Sequence, residues 1–112
     1  MRLKDKVTIV TGGGQGIGQT TCEIFAREGA KVVVADINDQ AAHATAEKIT
    51  AAGGQALAVY VNVTEQASVD AMVAKTLEWG GGRIDALINN AGITKDAQLV
   101  KMTEAQWDAV IA

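Results

Sequence analysis

Val7-Thr8-Ile9-Val10-Thr11-Gly12-Gly13-Gly14-Gln15-Gly16-Ile17-Gly18 passes from a β-branched run through a cluster of glycines into a stretch whose apolar residues recur at helical spacing. β-Branched side chains suit the pleated, half-buried surface of a strand. Glycines permit backbone conformations and close approaches that a Cβ would forbid. A helix is predicted over 16–28, with Ile17, Thr21, Ile24 and Phe25 inward and Gly29 as its stop. Between strand and helix, free amide groups and the positive end of the helix dipole face the same space, which is a place to hold a phosphate.

The same alternation repeats outward from this junction. Runs at 7–10, 31–35, 56–61 and 84–88 read as strands, and the segments between them read as helices. Asn38 announces a second helix that runs to Gly53-Gly54. Thr64 is the predicted N-cap of a third, with Val69, Met72, Val73, Thr76 and Leu77 on one face and Gly80-Gly81-Gly82 as its end. A series of this kind folds as a doubly wound parallel α/β sheet with helices on both faces, because crossovers between parallel strands are right-handed. Thr103-Glu104-Ala105-Gln106 is a capping box that opens a fourth helix with Trp107, Val110 and Ile111 on its apolar side. No closing signal follows, so the pattern reads as that of a longer chain.

At 112 residues, 48% hydrophobic and 21% charged, the expectation is one dinucleotide-binding domain spanning 1–112. A net charge of −3 with scattered basic residues argues against a nucleic-acid partner. No segment has the apolar length of a membrane span or a signal peptide, so the expected setting is cytoplasmic, away from membranes. The single cysteine, Cys22, sits among apolar helix positions and reads as core. His43 has no metal-spaced partners and reads as solvated.

The turn itself excludes two nucleotide motifs. G-x-G-x-x-G fails in every register, because Ile17, Gln19 or Thr21 stands where the third glycine is needed. The P-loop spacing from Gly13 to Gly18 is present with Thr20 in place, but Gln19 replaces the lysine that reaches the terminal phosphates. Thr11-Gly12, Gly16 and Gly18 do fit T-G-x-x-x-G-x-G, and Asn89-Asn90-Ala91-Gly92 follows the fourth predicted strand. With both motifs in place the sequence resembles the short-chain dehydrogenase/reductase family over its whole length, and looks especially like bacterial 3-oxoacyl reductases. The resemblance implies a Rossmann-type sheet of strand order 3-2-1-4 that lacks the family's C-terminal half. It also implies that Gly12, Gly14, Gln15, Gly16, Ile17 and Gly18 form the pyrophosphate turn, and that Asn90, Ala91 and Gly92 border the adenosine ribose. Asn89 is assigned mainly to tying neighbouring strands together.

Asp36 ends the second strand eighteen residues after Gly18, where a carboxylate can accept from both ribose hydroxyls and would repel a 2′-phosphate. No basic residue stands at Gln15, Ile37 or Asn38 to offset that charge, so NAD is the expected cofactor. Asn62-Val63 matches a position where the family commonly has Asp-Val against adenine; an amide there can both donate and accept. The family's catalytic tyrosine, with a lysine four residues later, has no counterpart: Tyr60 is followed at that spacing by Thr64. No catalytic residue is therefore assigned. Two readings stand: the NAD(H)-binding portion of an alcohol or carbonyl oxidoreductase, or a stand-alone nucleotide-binding module with no redox activity or an unrelated one. The partners expected are a dinucleotide or adenine nucleotide and further copies of the chain, as a homo-oligomer.

Overall fold

The computed structural model of the chain describes residues 2–90. Seven elements follow one another: β1 (Val7–Thr11), α1 (Gly16–Arg27), β2 (Lys31–Asp36), α2 (Asp39–Ala51), β3 (Gln55–Tyr60), α3 (Gln66–Trp79) and β4 (Ala86–Asn89). The strands form one parallel sheet in the order β3-β2-β1-β4, as the family resemblance implies. Ala91, Gly92 and the capping box with Trp107, Val110 and Ile111 lie outside the described residues.

Strand periodicity divides the core in two. Successive side chains point to opposite faces, so Ile9 and Val33 join Val59, Val69, Met72 and Val73 on the α3 side. Val10, Val32 and Val34 join Cys22, Ala42 and Ile49 on the side of α1 and α2. Every position of β1 is buried, which explains its continuous β-branched run: a central parallel strand has no solvent face. Burial of each such side chain stabilises by roughly 1.5–3 kcal/mol, so a single charge at Ile9 or Val33 would open this layer.

Three sequence expectations need correction. Ile17 and Ile24 point outward, with 79% and 46% exposure, while Gly18 and Cys22 are buried. Phe25 and Ala26 pack partly against the core, and Thr21 is half-buried. The reason is steric: a Cβ on Gly18 would collide with the Gly12 carbonyl, so α1 meets the sheet along its smallest residues. The cap of α3 is Glu65 rather than Thr64, and its side chain makes no capping bond. The Thr64 hydroxyl instead donates to Asn62 Oδ1. Finally, β4 starts at Ala86, later than the apolar run suggests, because the Asp85 carboxylate takes the Val7 N–H at 2.8 Å.

Other signals match the observed ends. Asn38 caps α2, its Oδ1 accepting from Ala41 N–H at 3.0 Å. Gly29, at φ +94°, turns the chain out of α1, and α3 closes at Gly80.

Candidate functional site

The carboxyl ends of β1 and β2 bring the glycine turn against Asp36. Gly13 N–H donates to the Ala35 carbonyl at 3.1 Å, anchoring the turn to β2. A Cβ at Gly13 would lie 2.9 Å from Cys22 Sγ, and one at Gly14 would lie 2.7 Å from Ala41 Cβ and 2.8 Å from Asp36 Oδ2. Gly12 and Gly16 adopt positive φ, 69° and 57°, which glycine allows without strain. Gln15 occupies the N-cap of α1 with an extended backbone and no side-chain capping bond, and the first turn holds no acidic residue. Its amides are thus left to an outside anion.

Asp36 is only 7% exposed. Its Oδ2 accepts from Gly14 N–H and its Oδ1 from Asn38 N–H, both at 2.9 Å. A carboxylate offers about four acceptor positions, so two remain for hydroxyl donors. Beside it lies a cavity of about 170 Å³ lined by Gly12, Asp36, Ile37, Val61, Asn62, Val63 and Thr64. Apolar walls with a carboxylate at one end suit a flat base joined to a sugar. Ile37, 62% exposed, forms part of its rim.

Asn62 Oδ1 accepts from Thr64 N–H at 3.1 Å and from the Thr64 hydroxyl at 2.6 Å, while Asn62 N–H donates to Ser68 Oγ at 2.8 Å. On the β4 side, Thr11 Oγ1 donates to Asn89 Oδ1 at 2.8 Å and accepts from Asn90 N–H at 3.2 Å. Asn89 thus ties β4 to β1. Thr11, which sequence reasoning treated only as part of a pattern, is the other half of that tie; no spacing signal marks such a contact between residues 78 positions apart. Ser68 was missed although it is local: it lies inside α3, six positions after the Asn62 N–H that it accepts, where a serine carries no motif of its own.

Tyr60 stands on β3 with 45% exposure. Cys22 is buried in the core and its thiol is pushed up to about 12, chiefly by desolvation and further by the Glu23 carboxylate; it stays protonated and unreactive. His43 Nδ1 sits 2.9 Å from the Asp39 carbonyl on the exposed side of α2. A larger cavity of about 340 Å³ lies between the last turns of α1 and α2, lined by Glu23, Ala26, Arg27, Lys48, Ile49, Ala52 and Gly54. It contains none of the turn's amides. In doubly wound sheets ligands gather at the strands' carboxyl ends, so the smaller cavity is the candidate.

A sequence model of the short chain dehydrogenases matches residues 6–112. The chain belongs to the short chain dehydrogenase family. It is 42% identical over 111 residues to the 3-oxoacyl-[acyl-carrier-protein] reductase FabG of Thermotoga maritima, covering 99% of this chain and 45% of that one. It is 44% identical over 113 residues to the sorbitol dehydrogenase of Cereibacter sphaeroides, covering 100% of this chain and 42% of the other. Among solved structures it resembles a hydroxysteroid dehydrogenase from Escherichia coli, with 40% identity and a TM-score of 0.79 over 82% of this chain and 39% of that one. This short chain dehydrogenase sequence therefore spans somewhat under half the length of these relatives. Short chain dehydrogenases bind nicotinamide dinucleotides, and the glycine cradle and the buried Asp36 carboxylate fit the adenosine end of such a molecule.

Proposed function

We propose that this chain is the adenosine- and pyrophosphate-binding portion of an NAD(H)-dependent oxidoreductase acting on alcohol or carbonyl substrates. The observation that carries the reading is Asp36: a buried carboxylate that accepts from two backbone amides and lines the cavity beside the glycine turn. Its two remaining acceptor positions suit the 2′- and 3′-hydroxyls of a ribose. A 2′-phosphate would bring like charge against a carboxylate of low solvent access, and like charges at close range disfavour each other. The amides of Gly16, Ile17 and Gly18 in the first turn of α1 would hold the pyrophosphate, with Gly12, Gly14 and Gln15 along its path; the Gly13 and Gly14 amides are already given to Ala35 and Asp36. Asn62 and Val63 would border the adenine, and Asn90, Ala91 and Gly92 the ribose. NAD, when bound, supplies the hydride acceptor.

The second reading, a binding module without redox activity, rests on the same glycine turn and the same Asp36 carboxylate. Both readings share the nucleotide chemistry and differ only in what is joined to it. We further propose a cytoplasmic, self-associating protein; among the described residues no helix is long and apolar enough to cross a membrane.

Calorimetry on Asp36→Ala tests the cofactor reading. NAD affinity should fall about tenfold or more, corresponding to about 1.4 kcal/mol, while NADP affinity should hold or rise. Equal losses for both would refute the role of Asp36.

A further inference from the structure

A threonine inside a helix has a ready acceptor in the carbonyl four residues back. Of the five threonines in α1, α2 and α3, four take it: Thr20 bonds Gly16, Thr21 bonds Ile17, Thr50 bonds Ala46 and Thr76 bonds Met72. Thr45 does not. Buried in α2 at 1% exposure, its hydroxyl donates across to the Gly14 carbonyl at 3.4 Å, 31 positions away in sequence. Gly14 N–H donates to Asp36 Oδ2, so the peptide groups on both sides of Gly14 are held, one by β2 and the other by α2. Glycine has the widest backbone freedom to lose, and these two bonds together fix it. The C=O and N–H of a trans peptide lie on opposite sides. With the Gly14 carbonyl drawn toward Thr45, the Gln15 N–H points away from α2, and it has no partner among the described residues.

We infer that Thr45 is a positioning residue of the nucleotide site: its hydroxyl fixes the Gly14–Gln15 peptide so that the Gln15 N–H donates to a bound phosphate, beside the amides of Gly16, Ile17 and Gly18. This inference rests on the nucleotide reading above. Thr45 itself is buried and meets no ligand. Its effect is preorganisation, because a donor that is already aimed loses no further freedom when the phosphate arrives. Without the hydroxyl the Gly14–Gln15 peptide can rotate, and ordering it then opposes binding. A nucleoside without phosphates makes no use of that donor. It would meet Asp36, whose Oδ1 is held by Asn38 N–H independently of Thr45. Removing the hydroxyl should therefore weaken phosphate-bearing ligands and largely spare the nucleoside.

Amide NMR titrations with ADP and with adenosine test the inference, on the unaltered chain and on Thr45→Val and Thr45→Ser. Valine keeps the shape of threonine and removes its hydroxyl; serine keeps the hydroxyl. In the unaltered chain the Gln15 amide should shift with ADP and not with adenosine, a readout that needs no variant to fold. Thr45→Val should lose ADP affinity several-fold while adenosine affinity stays within about twofold, and Thr45→Ser should bind ADP within about twofold of the unaltered chain. A Gln15 amide that saturating ADP leaves unmoved overturns the inference. So does a valine variant with unchanged ADP affinity or with equal losses for ADP and adenosine, and so does a serine variant as weak as the valine one. Each of these leaves the nucleotide reading intact. An unaltered chain that binds neither ADP nor adenosine overturns the nucleotide reading and this inference with it.

Discussion

Gly18 shows how a single atom can set the function of a turn. Its missing Cβ lets α1 press on the Gly12 carbonyl, which brings the first helical amides up to the ends of β1 and β2. Gly18→Ala should lower stability by about 1–3 kcal/mol through overpacking and weaken nucleotide binding as well, measured by urea unfolding and by calorimetry. At the opposite edge of the sheet, Asp85 acts on stability alone. Burial raises its pKa, but hydrogen bonds from Arg83 and Val7 N–H, with the charges of Arg83 and Lys6, outweigh that and hold it below the usual value. The folded pKa is thus lower than the unfolded value of about 3.9, so its contribution is full above that value and is lost as pH falls through the folded pKa. Asp85→Asn should therefore be less stable than the unaltered chain near about pH 7, with the gap closing near about pH 3, in urea titrations at the two pH values. Asp36 was legible in the sequence because its distance from the glycines marks it. The commitment of Asn62 Oδ1 to Thr64 was not, since which atom of an amide is free depends on the path of the loop.

α1 is the element where reading and structure part most clearly. Apolar spacing favoured Ile17 and Ile24 as the inward face, but the sheet is met by Gly18, Cys22 and the edges of Phe25 and Ala26. Periodicity weighs size and polarity; it does not know that the preceding turn demands a close approach. α2 was legible at both ends because its signals are local: Asn38 bonds the Ala41 N–H three residues on. Asn38→Ala should cost about 1 kcal/mol, again by urea unfolding. Since Asn38 N–H also donates to Asp36 through the backbone, which alanine preserves, NAD affinity should change much less than stability. A large loss of affinity with unchanged stability would mean that the side chain itself serves the site.

For the molecule as a whole, the order β3-β2-β1-β4 could not be taken from periodicity, which is the same for any arrangement of buried strands; it came with the two glycine and asparagine motifs. That order makes β4 an edge among the described residues, and an unpaired edge recruits other chains. Light scattering at high micromolar concentration should therefore show an assembly larger than the 11.6 kDa chain, and a stable monomer would contradict self-association. It also gathers the turn, Asp36 and Asn62 at the carboxyl ends of three adjacent strands, which is the basis for placing a dinucleotide there. The most direct test is backbone-amide NMR of the chain titrated with NAD. Saturable shifts should concentrate at residues 12–18, 36–38 and 61–64, with the Gly14 and Asn38 amides, both bonded to Asp36, among those that move most. Shifts confined to the cavity around Arg27 and Lys48, or none at saturating NAD, would contradict the account.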